Sequence, residues 1–157
     1  LNFQKKNFNK DKHRIYKPTN IKKYNGKSYP ICQSSWEFSL CKWLDRNDKV
    51  LQWESEPLSI PYKDPTNQII KGRVKTRRYY PDFLVKVITN EGVQTWLIEV
   101  KPYKETIPPK TSHKKSTKTI LYEQKTWKTN QAKFKAADMF CKRRKWVFKI
   151  LTEKDLF

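Results

Sequence analysis

The sequence predicts an α/β fold of the α+β, mixed-sheet kind, with helices flanking a central sheet. Two runs alternate with a period of two, 82–87 and 96–101, and Thr89-Asn90-Glu91-Gly92 between them has turn chemistry. Strand-like alternation on both sides of a short turn is the pattern of an antiparallel hairpin. Two further segments, 35–46 and 118–144, carry apolar residues at helical spacing, and an apolar run at 146–151 follows the second.

Taken in order, residues 1–27 hold nine Lys or Arg against the single acid Asp11, with few aliphatic side chains to offset the entropy of ordering. Residues 1–28 are therefore expected to be a loosely ordered basic arm, and 29–157 a single domain. Phe3, Phe8, Tyr16 and Tyr24 could stack on bases or pack on the domain, or simply stud a solvated extension. Ser34-Ser35-Trp36-Glu37 fits a capping box, with Ser34 as N-cap and Glu37 three residues on. A helix should follow over 35–46 with Trp36, Leu40, Trp43 and Leu44 on one side, ending at Asn47-Asp48. Spacing alone makes Glu37 a cap, although it could also point across the core edge towards Asp82.

Segments 49–53 and 58–62 read as short strands, and Pro57 and Pro61 confine the second to an edge. Asp64-Pro65-Thr66-Asn67 reads as a turn. The strand-like run from 69 to 80 carries Lys71, Arg73, Lys75, Arg77 and Arg78, which suits a track for phosphates as well as an ordinary solvated strand face. In the hairpin, Glu99 and Lys101 are two apart and share a face, and Asp82 can lie opposite them. Residues 102–118, with Pro102, Pro108, Pro109 and five lysines including Lys104, read as a mobile loop beside them. The helix at 118–144 should turn Leu121, Trp127, Phe134, Ala137, Phe140 and Cys141 inward, with Lys142-Arg143-Arg144-Lys145 complementing its C-terminal dipole. Arg73, Lys75, Arg77, Arg78, Lys104, Lys128, Asn130 and Lys133 are the candidate DNA contacts, and 146–151 is a last strand.

The balance of charge names the partner class. Lys plus Arg number 35 against 15 Asp plus Glu, a formal charge of +20 on 157 residues; a chain this basic is matched to a polyanion, with nucleic acid the default. No secretory signal, lipidation signal or apolar run long enough for a membrane is read, so no membrane partner is expected. Cys32, Cys41 and Cys141 are odd in number and without paired spacing, which argues for reduced thiols rather than a disulfide framework. Zinc has no C-x-x-C or H-x-x-x-H spacing to hold it.

Asp82 and Glu99 on neighbouring strands suit one chemistry. Carboxylates are hard-oxygen ligands for Mg²⁺, which binds through one or two of them together with waters and substrate phosphates. An ion held there would polarise a phosphodiester and acidify a water, with the Lys101 ammonium offsetting developing negative charge. An E-x-K pair alone is also an ordinary feature of a strand's solvent face.

The order helix with Glu37, strands, Pro81-Asp82, hairpin, Glu99-Val100-Lys101, helix, strand resembles the PD-(D/E)XK nuclease superfamily and its restriction-endonuclease-like αβββαβ core. Within it, Ser34-Ser35-Trp36-Glu37, Trp53-Glu54-Ser55-Glu56-Pro57, Tyr79-Tyr80-Pro81-Asp82-Phe83 and Ile98-Glu99-Val100-Lys101-Pro102 look like the head-completion nucleases of T-even-type tailed phages, relatives of the N-terminal catalytic domain of TnsA. TnsA itself has Gln at the position matching Glu99, so the chain follows the wider superfamily there. The resemblance implies Asp82, Glu99 and Glu37 as metal ligands and Lys101 as the catalytic lysine, which turns the reading of Glu37 from cap to ligand. It implies Mg²⁺, with Mn²⁺ able to substitute, and a DNA endonuclease acting on packaged DNA in the host cytoplasm during virion assembly. Portal or neck proteins are candidate partners, and association with the virion is compatible with them. The competing expectation is a non-catalytic basic protein of the phage head or neck that grips DNA with a nuclease-like fold.

Overall fold

The computed structural model describes residues 14–66 and 72–156. Its centre is a four-stranded mixed sheet, as expected. The strands β3 (Val50–Ser55), β6 (Phe83–Thr89), β7 (Gly92–Val100) and β8 (Val147–Leu151) lie in that order. The β3–β6 and β6–β7 pairs are antiparallel and β7–β8 is parallel. Thr89 pairs with Gly92 across the tight turn, where Gly92 takes φ +103°, open to glycine at little cost.

Alternation along β6 and β7 divides the core in two. Phe83, Val85, Val87, Ile98 and Val100 face the helix α1 (Ser35–Arg46) together with Leu40, Cys41, Leu44, Val50 and Trp53. Leu97 faces the opposite way and packs with Ala137 and Cys141 of the long helix α2 (Thr117–Arg144). Each fully buried aliphatic or aromatic side chain here contributes roughly 1.5–3 kcal/mol. On the α2 side lies a separate two-stranded ribbon, β4 (Ile60–Lys63) and β5 (Thr76–Tyr79), whose Ile60, Tyr62 and Tyr79 complete that core. The long strand read over 69–80 is thus shorter, and residues 67–71 fall outside the described ones.

Both helices start on serine caps, the first of them the Ser34 expected from the sequence. Ser34 Oγ accepts the Glu37 N–H and Ser116 Oγ accepts the Thr119 N–H. α2 ends with Lys145 in the left-handed region at φ 57°, its N–H returned to the last carbonyls. Phe134, Ala137 and Cys141 of α2 are buried, but Leu121, expected to face inward, is 61 % exposed, and the buried residues of the helix begin only at Asn130. Trp43 of α1 is likewise exposed, leaving Leu40 and Leu44 as its inward stripe.

The expectation of a loosely ordered arm over 1–28 is corrected from Arg14 onward; residues 1–13 lie outside the described residues. β1 (Arg14–Ile15) pairs with β2 (Ile31–Cys32), and Tyr16 is buried. The cause is one buried carboxylate, Asp45 of α1. It accepts hydrogen bonds from Tyr16 OH (2.8 Å), Thr19 N–H (2.8 Å), Thr19 Oγ1 (2.7 Å) and Asn20 N–H (3.0 Å). Burial would raise its pKa, but these donors outweigh burial and hold it below the ordinary value. The 102–118 loop is also fastened. The Tyr103 N–H donates to Glu153 in the short helix α3 (Glu153–Leu156), and Lys115 Nζ pairs with Glu123 at 2.7 Å. All three cysteines are free and buried. Among the described residues no helix is long and apolar enough to cross a membrane.

Candidate active site

The hairpin register places Phe83 opposite Ile98, so Asp82, one residue before β6 begins, comes level with the end of β7. Its Oδ2 accepts the Val100 N–H at 2.7 Å, and its own carbonyl accepts the Glu56 N–H at 2.8 Å. Glu56 reaches that bond with φ 45°, a left-handed conformation that costs a non-glycine residue about 1 kcal/mol or more. Asp82 is therefore held from two strands, by its side chain on β7 and by its main chain at the end of β3.

Glu99 is only 3 % exposed and projects with Leu97 towards the α2 side. Its Oε1 pairs with Lys101 Nζ at 3.0 Å, and its Oε2 accepts the Tyr79 hydroxyl at 2.7 Å. Lys101 is set by a further bond, its N–H donating to Leu151 O of β8 at 2.9 Å. The expected grouping of Asp82, Glu99 and Lys101 at one end of the sheet is what the structure contains.

These charges interact strongly. Burial, and after it the charge of Glu99, push the Asp82 pKa up to about 8, against the bond from Val100; the more distant Glu37 adds to the rise. Burial disfavours the Lys101 ammonium, yet Glu99 and then Asp82 keep its pKa above the ordinary lysine value. Burial followed by Glu99 raises the Tyr79 pKa far above its usual range, so its hydroxyl stays a donor.

Glu37 stands apart from this group. Its Oε2 accepts the Gln33 N–H at 2.8 Å and its Oε1 accepts the Ser34 hydroxyl at 2.9 Å, which is the capping arrangement. Among the described residues no three His, Cys, Asp or Glu side chains gather so as to hold a metal ion. Glu37 stands in the first turn of α1, whose core residues pack with the sheet face opposite to that of Leu97. In this structure the expected third ligand makes the contacts of a helix cap, close enough to feel Glu99. Burial raises its pKa, the Gln33 and Ser34 bonds oppose that, and Glu99 adds to the rise.

The cations expected to meet DNA divide in the same way. Arg73, Lys75, Arg77, Arg78, Lys104 and Lys128 are exposed. Arg77 pairs with Asp64 at 2.9 Å, and Arg78 donates to Ser59 Oγ at 3.0 Å. Lys133 is half-buried, with Nζ 5.8 Å from the ring centres of both Tyr62 and Tyr79, and burial followed by the charge of Lys101 lowers its pKa. Asn130 is corrected: it is 5 % exposed, with no hydrogen-bond partner at Nδ2, so it is not on the phosphate-facing surface. The residue that sequence reasoning missed is Tyr79. Its signal was position, two residues before Pro81 at the end of a strand, but nothing in the pattern separated it from exposed Tyr80.

The family model for the TnsA-like endonuclease N-terminal domain matches residues 47–153. The chain belongs to the TnsA-like endonuclease family. It is also 38 % identical over 143 residues to the head completion nuclease of Enterobacteria phage T4, a match that spans 88 % of this chain and 89 % of that protein. No solved structure matches it. The matched stretch of the TnsA-like endonuclease model contains Tyr79, Asp82, Glu99 and Lys101 and begins after Glu37. A nuclease acts on nucleic acid, in keeping with the charge of +20.

In such an endonuclease, Asp82 and Glu99 are the side chains fit to hold a divalent cation. Both are hard-oxygen donors, and the charge of Glu99 is close enough to add to the burial that raises the Asp82 pKa. Asp82 Oδ1 takes part in no hydrogen bond among the described residues, so one donor atom is uncommitted.

Proposed function

We propose that this TnsA-like endonuclease is a Mg²⁺-dependent DNA endonuclease that hydrolyses phosphodiester bonds, with Mn²⁺ able to replace Mg²⁺, and that it acts as a head-completion nuclease on packaged phage DNA. The observation that carries the reading is the convergence of Asp82, Glu99 and Lys101: a 2.7 Å bond from Val100 to Asp82, and a 3.0 Å ion pair between the residues flanking Val100. When bound between the two carboxylates, Mg²⁺ would polarise the phosphodiester and lower the pKa of a water.

The chain's own groups have separate tasks. Asp82 and Glu99 would supply the oxygen ligands, each fixed by a neighbour that leaves other lone pairs open. Asp82, whose pKa burial and the charge of Glu99 raise to about 8, would hold the cation as a carboxylate. Lys101 keeps its proton through the pull of Glu99 and presents a cation beside the reacting phosphate, where negative charge grows in the transition state. The exposed Arg73, Lys75, Arg78, Lys104 and Lys128 lie along the backbone of the duplex and hold it by charge. Glu37 contributes negative charge from the helix end, as a cap or, on rotating, as a third oxygen donor.

The relative's name supports action on the phage head; host cytoplasm during assembly as its place and a portal or neck protein as its partner are part of the proposal. Supercoiled plasmid incubated with the purified chain in Mg²⁺ tests the reading: nicking that stops in EDTA is expected. Plasmid bound but uncut in both Mg²⁺ and Mn²⁺ would sink it.

A further inference from the structure

We propose that Tyr79 is a positioning residue of the same site: its hydroxyl fixes the Glu99 carboxylate so that Glu99 meets Lys101 and an incoming divalent cation in one orientation. The inference rests on the metal reading given above.

The terminal torsion of a glutamate is broad and roughly two-fold, so a strand can fix the backbone of Glu99 without fixing its carboxylate plane. Two contacts do that here, one on each oxygen: Lys101 Nζ at 3.0 Å on Oε1 and Tyr79 OH at 2.7 Å on Oε2. The tyrosine belongs to neither of the strands that carry the acids. It comes from β5, in the separate β4–β5 ribbon, and is buried there, whereas Thr76, Arg77 and Arg78 before it are exposed. Its ring, with that of Tyr62, lies under Lys133 of α2. Tyr79 therefore ties the ribbon and α2 to Glu99, the more deeply buried acid of the site. A phenylalanine would fill the same space; only the hydroxyl reaches Glu99.

An outer-shell donor of this kind, once removed, lowers metal affinity about 10- to 100-fold. A residue that merely fills the core predicts the opposite sign or no effect, since freeing Oε2 leaves Glu99 with more lone pairs to offer. The test is a calorimetric titration of the full chain with Mn²⁺ in the absence of DNA, on the parent, Tyr79→Phe, Glu99→Gln and the double variant, each shown to be folded by its thermal transition. Tyr79→Phe is expected to weaken Mn²⁺ binding about 10- to 100-fold while leaving DNA affinity in EDTA at the parent value. In the Glu99→Gln background the same change should have little further effect, because its target is gone. Parent-like or tighter Mn²⁺ binding by Tyr79→Phe overturns the role of Tyr79 alone, as does an equal loss in the Glu99→Gln background. A parent that binds no Mn²⁺ overturns the metal reading and this inference with it.

Discussion

The Asp82 carboxylate accepts the main-chain N–H of Val100, the residue between Glu99 and Lys101, at 2.7 Å. That bond spans the hairpin beyond its last strand pair, Phe83 with Ile98, and sets the acid before one strand against the acid and the lysine at the end of the next. Asp82→Ala and Glu99→Ala each remove an oxygen donor and a negative charge. Both should abolish plasmid cleavage, and gel-shift affinity for duplex DNA in EDTA should be equal or slightly tighter. Cleavage surviving in either variant would remove that residue from the site.

Lys101→Ala should behave differently. It deletes a cation that acts mainly as the transition state forms, so kcat should fall by at least about 100-fold, with a modest loss of DNA affinity. Single-turnover cleavage beside filter binding separates the two effects. A variant with parent kcat and weakened binding would make Lys101 only a phosphate contact.

The pH dependence of stability follows from Asp82. Its folded pKa is about 8, above the unfolded value of about 3.9. Between those limits the native state binds the extra proton, so this residue's contribution to stability is lost as pH rises through the window. In the metal-free protein, Asp82→Asn should therefore raise the melting temperature more at pH 8 than at pH 5. An equal change at both would mean that Asp82 is ionised throughout.

Glu37→Ala decides between the two roles of that residue. Loss of a cap costs about 0.5–2 kcal/mol of stability and leaves the folded fraction active. Loss of a ligand removes activity at full folding. Parent-rate nicking by folded Glu37→Ala would strike Glu37 from the site.

The N-terminal segment is open to a sharper dissection than deletion of the whole arm. Asp45→Ala leaves Tyr16, Thr19 and Asn20 donors without their acceptor and should cost about 3 kcal/mol or more in urea unfolding. Because the Asp45 pKa is depressed, its contribution is present above the unfolded pKa and lost as pH falls through the folded one. Deleting residues 1–13 removes Lys5, Lys6, Lys10 and Lys12 without touching Asp45, and should shallow the salt dependence of DNA binding by about one log-log unit per lysine engaged. An unchanged slope would point those lysines at a protein partner.

What could be read in the sequence was what repeats locally. The α1 boundaries, the 83–100 hairpin, α2 and the last strand all follow from period and capping, and the juxtaposition of Asp82 with Glu99 and Lys101 follows from hairpin register. What could not be read depends on single long-range contacts. Residues 14–28 are held by long-range contacts such as those to Asp45, whose partners lie 25 to 29 residues away and share no pattern with it. Tyr79 and Asn130 were likewise decided by which side of a ribbon or helix met the core, and spacing gives no side. Glu37 satisfied a local motif and a family motif together, and the local one governs its contacts here.

The parallel pairing of β7 with β8 bears on the order of events during synthesis. The backbone of Lys101 is pinned by Leu151, across a crossover that includes all of α2. Parallel strands joined this way close late, since a long connection must be ordered before its contacts are made. A ribosome-bound chain that has exposed both acids and the lysine, but not yet residue 151, lacks the neighbour that completes their strand. The grouping of Asp82, Glu99 and Lys101 is thus held in full only once the strand after α2 has docked beside β7.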